Sequence, residues 1–226
     1  MWLQKLLPRR EPGFPVVTGR PAGRPLSGAL SFATDDIDIA SFERLSLSLG
    51  DRVAPGVDAT LAELKFDPMP GLDPARPAWR WRQTRGTAVV EFLTPSFEEN
   101  EGLRALPALG VSAQAFHFLN YLIAGPVAAV GLYRNGVLLQ VPRPERYAIH
   151  KMIVAARRPE RLQLKARKDL LQAEALVDVM AEDRPVEIEA AFRDAWARGK
   201  SWREYLEVSL AKSAVLRKHL GGFRNA

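Results

Sequence analysis

Residues 34–40 read Thr34-Asp35-Asp36-Ile37-Asp38-Ile39-Ala40, and this stretch gives the first indication of the fold. Charged and apolar side chains alternate from Asp36 to Ile39, which is the period-two pattern of a half-buried β-strand. On a strand, Asp36 and Asp38 would project from one face while Ile37 and Ile39 turn toward the core. Two neighbouring carboxylates repel each other unless a cation lies between them. The pattern therefore indicates a strand with a candidate cation-binding pair.

A third carboxylate lies on another predicted strand, Thr87 to Leu93, in which Glu91 stands between apolar neighbours. Hard oxygen ligands suit Mg²⁺, or Mn²⁺ in its place. Three carboxylates on two adjacent strands can hold two such ions for in-line phosphoryl displacement. The alternative interpretation involves no metal: the Asp-x-Asp pair can be a solvated strand face, and Glu91 can be an ordinary edge-strand acid.

The chain divides by composition into three parts. Residues 1–30 predict an irregular arm, because Glu11 to Ser31 is rich in Gly, Pro and Arg and follows neither hydrophobic period. Residues 31–141 predict an α/β domain with a small mixed sheet, and residues 142–226 predict a helical domain. The fold class is therefore α+β.

The predicted elements of the α/β part are a helix over about Val57 to Phe66, strands over Ala78 to Gln83 and Thr87 to Leu93, a helix over Ala113 to Ala124 and a hairpin over Val130 to Val141. Asn135-Gly136 suits a type I′ turn in that hairpin. The predicted helices of the second part are Tyr147 to Ala156, a striped helix from Leu162 to Met180, Pro185 to Ala197, and Trp202 to His219.

Composition excludes several classes of site. The 226 residues include no cysteine, which removes disulfide scaffolds, thiolate metal sites and cysteine nucleophiles. With three scattered histidines, we expect no histidine-rich metal site. The net charge is +6, with 32 basic and 26 acidic residues. From Arg143 to Lys168 there are nine basic residues and two glutamates, so the basic character is concentrated there. A local basic patch favours an anionic partner.

Five residues of this patch are candidate binding residues for a triphosphate or a nucleic-acid backbone: Arg146, His150, Lys151, Lys165 and Lys168. If the two helices pack antiparallel, their basic faces would form a cationic wall opposite the carboxylates. The alternatives are solvated helix faces, an i, i+4 pair between Lys165 and Asp169, and a packing role for His150. Trp79 and Trp81 alternate on a strand, and sheet packing is favoured for them over stacking on a base.

The N-terminus predicts no signal peptide, because the short apolar run before Arg9 and Arg10 is broken by Lys5. The most apolar segment, Phe116 to Leu132, is interrupted by Gly125 and Pro126. We therefore expect a cytoplasmic protein without a membrane segment.

Several of these segments resemble a known family. Residues 34–40 resemble the Thr-x-Asp-hydrophobic-Asp-hydrophobic-Ala strand of nucleotidyltransferases with the DNA polymerase β type fold, and Glu91-Phe92-Leu93-Thr94-Pro95 resembles the strand with their third carboxylate. Residues 141–151, which contain Arg-Tyr-Ala-Ile-His-Lys, and residues 165–173, which contain Lys-Asp-Leu-Leu-Gln-Ala, resemble the helical half of a bacterial family with this fold. The likeness runs from about Ser27 to Ala211.

The resemblance implies transfer of a nucleoside monophosphate from an NTP to an acceptor hydroxyl of RNA, protein or a small molecule, with Mg²⁺ on Asp36, Asp38 and Glu91. It also implies an upstream hydrophobic-Gly-Gly/Ser motif that holds the triphosphate at a helix N-terminus. Here Gly19 is followed by Arg20 and Pro21 instead. Either the N-terminus is truncated or rearranged, or the phosphate cradle is lost. The second reading predicts an inactive nucleotide-binding or nucleic-acid-binding protein of the same fold.

Overall fold

The structure is a computed structural model that describes residues 36–41, 55–71, 76–131 and 136–225, with Asp36 described by its backbone. The chain divides into two compact units. The first contains the described residues through Ile123 together with Val127–Val141, and the second contains Ala124–Pro126 and everything described from Pro142 onward.

The strands of the first unit are β1 (Asp36–Ala40), β2 (Phe66–Pro68), β3 (Arg80–Gln83), β4 (Val89–Pro95), β5 (Leu103–Leu106), β6 (Val111–Phe116), β7 (Val127–Gly131) and β8 (Val137–Val141). Its helices are α1 (Val57–Glu63) and α2 (Leu119–Ile123). The helices of the second unit are α3 (Pro144–Arg157), α4 (Gln163–Asp183), α5 (Pro185–Ala197), α6 (Lys200–Lys212) and α7 (Ala214–Leu220). Two 3₁₀ segments, Glu160–Leu162 and Gly221–Asn225, complete this unit. The predicted α+β class is confirmed: a mixed sheet is followed by a helical C-terminal region.

Strand β4 organises the main sheet. It pairs in parallel with β1 and β6 and antiparallel with β3, while β2 and β5 extend the sheet as antiparallel neighbours of β3 and β6. Its sequence alternates around Glu91: Val90 and Phe92 are 3% and 1% exposed and enter the core. Trp81 of β3 packs edge-on against Phe92, with ring centroids 5.2 Å apart. Trp81 is therefore a sheet-packing residue, as predicted.

The exposure of Ile37 departs from the sequence prediction. Ile39 packs against the core beside Phe92, but Ile37 is 53% exposed. Among the described strands, β1 pairs with β4 alone, so none of these strands lies along its other edge. Period-two alternation assigns a face of the strand, and the depth of burial depends on neighbours that the pattern does not reveal.

The helix predicted over Ala113 to Ala124 is wrong. Residues Val111–Phe116 form β6, between β4 and β5, and only Leu119–Ile123 are helical. Ala113 and Ala115 are fully buried, because their strand lies inside the sheet between β4 and β5. Alanine favours helices in isolation, so tertiary packing overrides the local preference here. Phe118, with a φ of 68°, separates the strand from the helix.

The predicted hairpin is confirmed and begins earlier than expected. Strands β7 and β8 pair antiparallel, with Val127 opposite Val141 and Gly131 opposite Val137. Gly136 has a φ of 82°, the left-handed conformation that glycine adopts without strain. Asn135, the other residue of the predicted turn, lies outside the described residues.

The helical unit is built on an apolar core in which α3 packs mainly against α4 and α6. Ile149 and Met152 of α3 and Val177 of α4 are fully buried. Ser209 of α6 donates a hydrogen bond of 2.7 Å to the carbonyl oxygen of Met152, which ties α6 to α3. The striped helix was predicted from the same spacing that buries Ala173, Val177 and Met180.

The single helix predicted from Trp202 to His219 is two helices. The backbone leaves the helical conformation at Ser213, whose φ and ψ are −128° and 122°. Ser213 Oγ accepts a hydrogen bond of 3.1 Å from the backbone N–H of Leu216, so it caps α7. An apolar stripe continues across this break, and the serine is the residue that marks it.

None of the helices in the described ranges combines the length and apolarity that crossing a bilayer requires.

Candidate active site

Two of the predicted carboxylates come together on the main sheet. Asp38 of β1 and Glu91 of β4 are Cα partners in the parallel register. Directly paired residues on neighbouring strands share a face, about 5 Å apart at the backbone. Glu91 therefore stands beside Asp38, opposite to the face on which Val90 and Phe92 enter the core. Asp36 is two residues earlier on β1, in register with Val89, and its side chain lies outside the described residues.

Arg80 of β3 occupies the other side of Glu91. The two residues are Cα partners in the antiparallel β3–β4 pair. The Nε of Arg80 donates a hydrogen bond of 2.6 Å to Oε1 of Glu91, and its Nη2 donates to the same oxygen. The guanidinium carbon also lies 4.8 Å from the ring centroid of Trp79. Asp38, Glu91 and Arg80 thus form one row across three strands, which we call the charged row.

The role of Arg80 was not predicted from the sequence. For Arg80-Trp81-Arg82 the prediction concerned only Trp81. Alternation places Arg80 and Arg82 on the opposite face of the strand. Arg82 is exposed and pairs in register with Val89, which leaves it without a carboxylate opposite it on β4. One sequence signal could have indicated this contact: an Arg-x-Arg strand is followed by a strand with one acid at its centre.

The chemistry of the charged row fits a hard divalent cation. Asp38 is exposed, and Glu91 keeps 18% of its side-chain surface accessible, so both carboxylates can be reached from solvent. Within the part of the chain that the structure describes, no group of three or more His, Cys, Asp or Glu side chains is placed to hold a metal ion. The described candidate ligands are thus two carboxylates, and Arg80 engages one oxygen of Glu91, Oε1.

The predicted binding residues on α3 make internal contacts. Arg146 Nη2 lies 3.2 Å from an oxygen of Asp194, and Lys151 Nζ lies 2.7 Å from Oδ1 of Asp169. His150 is buried, with 9% of its surface exposed. Arg146 and Lys151 thus tie α3 to α5 and α4, and the role of all three residues toward a ligand stays a prediction.

Lys165 and Lys168 of α4 are exposed to solvent. Asp169, the expected i, i+4 partner of Lys165, is instead bound by residues of the preceding segments. It is 3% exposed and accepts hydrogen bonds from Lys151 at 2.7 Å and from Arg158 Nε at 2.5 Å. The Lys-Asp-Leu-Leu-Gln-Ala segment therefore contributes a buried ion cluster. Lys165 and Lys168 are exposed outside this cluster, and the predicted cationic wall stays a prediction.

Comparison with known proteins identifies the family. A protein-family model described as Nucleotidyltransferase matches residues 21–197. This range includes the segments 34–40, 91–95, 141–151 and 165–173 that carry the resemblance. The chain therefore belongs to this nucleotidyltransferase family. Comparisons with curated proteins and with solved structures give no significant match. Gly19 precedes the matched range and lies outside the described residues.

Proposed function

We propose that the chain transfers a nucleoside monophosphate from an NTP to an acceptor hydroxyl, with Mg²⁺ or Mn²⁺ bound by Asp36, Asp38 and Glu91. The single observation behind this proposal is the register that pairs Asp38 with Glu91 in a member of a nucleotidyltransferase family. The sheet brings two hard-oxygen side chains together from segments about 50 residues apart along the chain. Such pairing is what a shared cation site requires.

In the proposed reaction the acceptor oxygen forms a bond to the α-phosphorus, the bond between the α-phosphorus and its bridging oxygen breaks, pyrophosphate leaves, and the acceptor proton passes to solvent. The divalent cations would supply charge neutralisation at the phosphate oxygens. The carboxylates of β1 and β4 would orient these cations from a rigid sheet, and the buried Phe92 and the partly buried Ile39 fix the strands that carry them. RNA, protein and small-molecule hydroxyls remain the acceptor classes to be tested.

The experiment measures pyrophosphate release and label transfer from each α-labelled NTP with Mg²⁺ or Mn²⁺. The acceptor probes are an oligoribonucleotide with a free 3′-hydroxyl, the protein itself and an aminoglycoside. We expect Asp38→Asn to lower the rate at least about 100-fold, because it removes a direct metal ligand. Mutation of residues that only orient such ligands already costs about 10- to 100-fold in metal affinity or activity. Asp67→Asn is the matched control, since Asp67 is an exposed acid on β2 that accepts from Thr84 Oγ1 at 2.8 Å.

The Arg80–Glu91 ion pair favours a second candidate, a nucleotide-binding protein without catalysis. A guanidinium that never leaves Glu91 would keep its positive charge beside the site and occupy Oε1 of that carboxylate. This candidate predicts NTP binding that is unchanged by EDTA and by Asp38→Asn. Metal-dependent binding that Asp38→Asn abolishes would contradict it.

A further inference from the structure

We propose that Arg80 is an exchangeable counter-ion: it neutralises Glu91 in the metal-free protein and binds the phosphates of the nucleotide when a divalent cation takes its place. This inference rests on the proposed function. It assigns Arg80 a role in coupling metal binding to nucleotide binding at the same site.

The geometry of the pair suits exchange. Arginine and a carboxylate commonly pair through two parallel hydrogen bonds to two oxygens. Here Nε and Nη2 both donate to Oε1 of Glu91. The side chain of Arg80 is 38% exposed, so it can leave Glu91 and become solvated at little cost. A partly exposed ion pair of this kind is weak enough for a divalent cation to displace.

Arg80 cannot yield to the cation by losing its proton. A guanidinium stays protonated in proteins, so a cation on Glu91 must coexist with a positive charge or drive it away. The register fixes the backbone of Arg80 opposite Glu91, and the ring of Trp79 lies 4.8 Å from its guanidinium carbon. This cation–π contact keeps a displaced guanidinium near the charged row.

A triphosphate bound at the charged row supplies the anion that a displaced guanidinium needs. The planar fork of arginine matches phosphate oxygens as well as it matches a carboxylate. Arg80 would therefore oppose metal binding in the absence of nucleotide and favour the metal–nucleotide complex. These two effects have opposite signs, which separates this role from a structural one.

The test measures Mn²⁺ affinity by electron paramagnetic resonance without nucleotide, and the affinity for α,β-methylene-ATP by calorimetry in saturating Mn²⁺. We expect Arg80→Gln to raise Mn²⁺ affinity by about 10-fold, because it removes a nearby positive charge. The same variant should weaken the nucleotide analogue by about 10-fold, because the charged fork is lost. Arg80→Lys keeps the charge without the fork, so it should leave Mn²⁺ affinity near that of the wild type and still weaken the analogue.

Arg104→Gln is the matched control, because Arg104 lies on β5 of the same sheet and pairs with Glu98 outside the charged row. It should leave both affinities unchanged. Lower Mn²⁺ affinity in Arg80→Gln would overturn the proposal and leave Arg80 a merely structural support of Glu91, and unchanged analogue affinity would overturn the phosphate contact. If Arg80→Gln fails to fold, Arg80→Lys decides the point: an analogue affinity equal to that of the wild type overturns it. A wild-type protein that binds no Mn²⁺ with or without nucleotide would overturn the proposed function itself.

Discussion

Asp38 of β1 and Glu91 of β4 are direct register partners in a parallel strand pair. Neither residue is close to the other in sequence, and their pairing depends on β1 aligning with β4 without a one-residue slip. A slip would move Asp38 to the core face. Ile39, which packs against the core beside Phe92, specifies this register.

Glu91→Gln separates function from stability. We expect the variant to lose metal-dependent nucleotide binding while its free energy of unfolding falls by less than about 1 kcal/mol, because the ion pair with Arg80 is partly exposed. Urea unfolding followed by circular dichroism, together with calorimetry, checks both. A large loss of stability would mean that the ion pair holds the sheet together. The variant's loss of nucleotide binding would then be an indirect effect.

Trp81 and Trp79 provide a matched comparison on one strand region. Trp81→Ala should lower the free energy of unfolding by about 3–5 kcal/mol, because its ring is 3% exposed and packs on Phe92. Trp79→Ala should cost about 1 kcal/mol, since Trp79 is half-buried. Equal costs in urea unfolding would show that the β3 register is not the one described.

Asp169 is expected to stabilise the helical unit through its buried ion cluster. Asp169→Asn should lower the free energy of unfolding by about 3 kcal/mol, because it leaves Lys151 and Arg158 without their shared carboxylate. Asp194→Asn is the control: Asp194 is 36% exposed in its pairs with Arg146 and Arg198, and its loss should cost less than about 1 kcal/mol. A loss below 1 kcal/mol for Asp169→Asn would contradict the buried cluster.

Lys165 and Lys168 test the predicted anion-binding face of α4. The double variant Lys165→Ala/Lys168→Ala should weaken binding of a single-stranded oligoribonucleotide and reduce the slope of log K against log salt by about 1.4, at roughly 0.7 per phosphate contact. Its unfolding should match the wild type, since both lysines are exposed. Lys212→Ala/Lys218→Ala removes the same charge from exposed positions of α6 and α7. Equal effects of the two double variants would assign the binding to net charge alone.

The sequence predicts what depends on local pattern. The alternation around Glu91 locates β4, and the spacing of Ala173, Val177 and Met180 locates α4. Side chains fix these elements through their own periodicity, so a single chain is sufficient to recognise them.

Features set by tertiary contact escaped prediction. Ala113 and Ala115 favour a helix until neighbouring strands bury them in β6. Asp169 matches a surface i, i+4 pattern until α3 presents Lys151 to it. The contact between Arg80 and Glu91 depends on the antiparallel register of β3 with β4, which periodicity alone does not determine.

The most direct test is calorimetric titration of ATP, GTP, CTP and UTP in the presence of Mg²⁺ or Mn²⁺, on the wild type and on Asp38→Asn. If Asp38 and Glu91 form a shared cation site, at least one nucleotide binds the wild type only with metal, and Asp38→Asn abolishes that binding. Nucleotide binding that needs no metal and survives Asp38→Asn would contradict the site on the sheet, and the absence of any binding would contradict it as well.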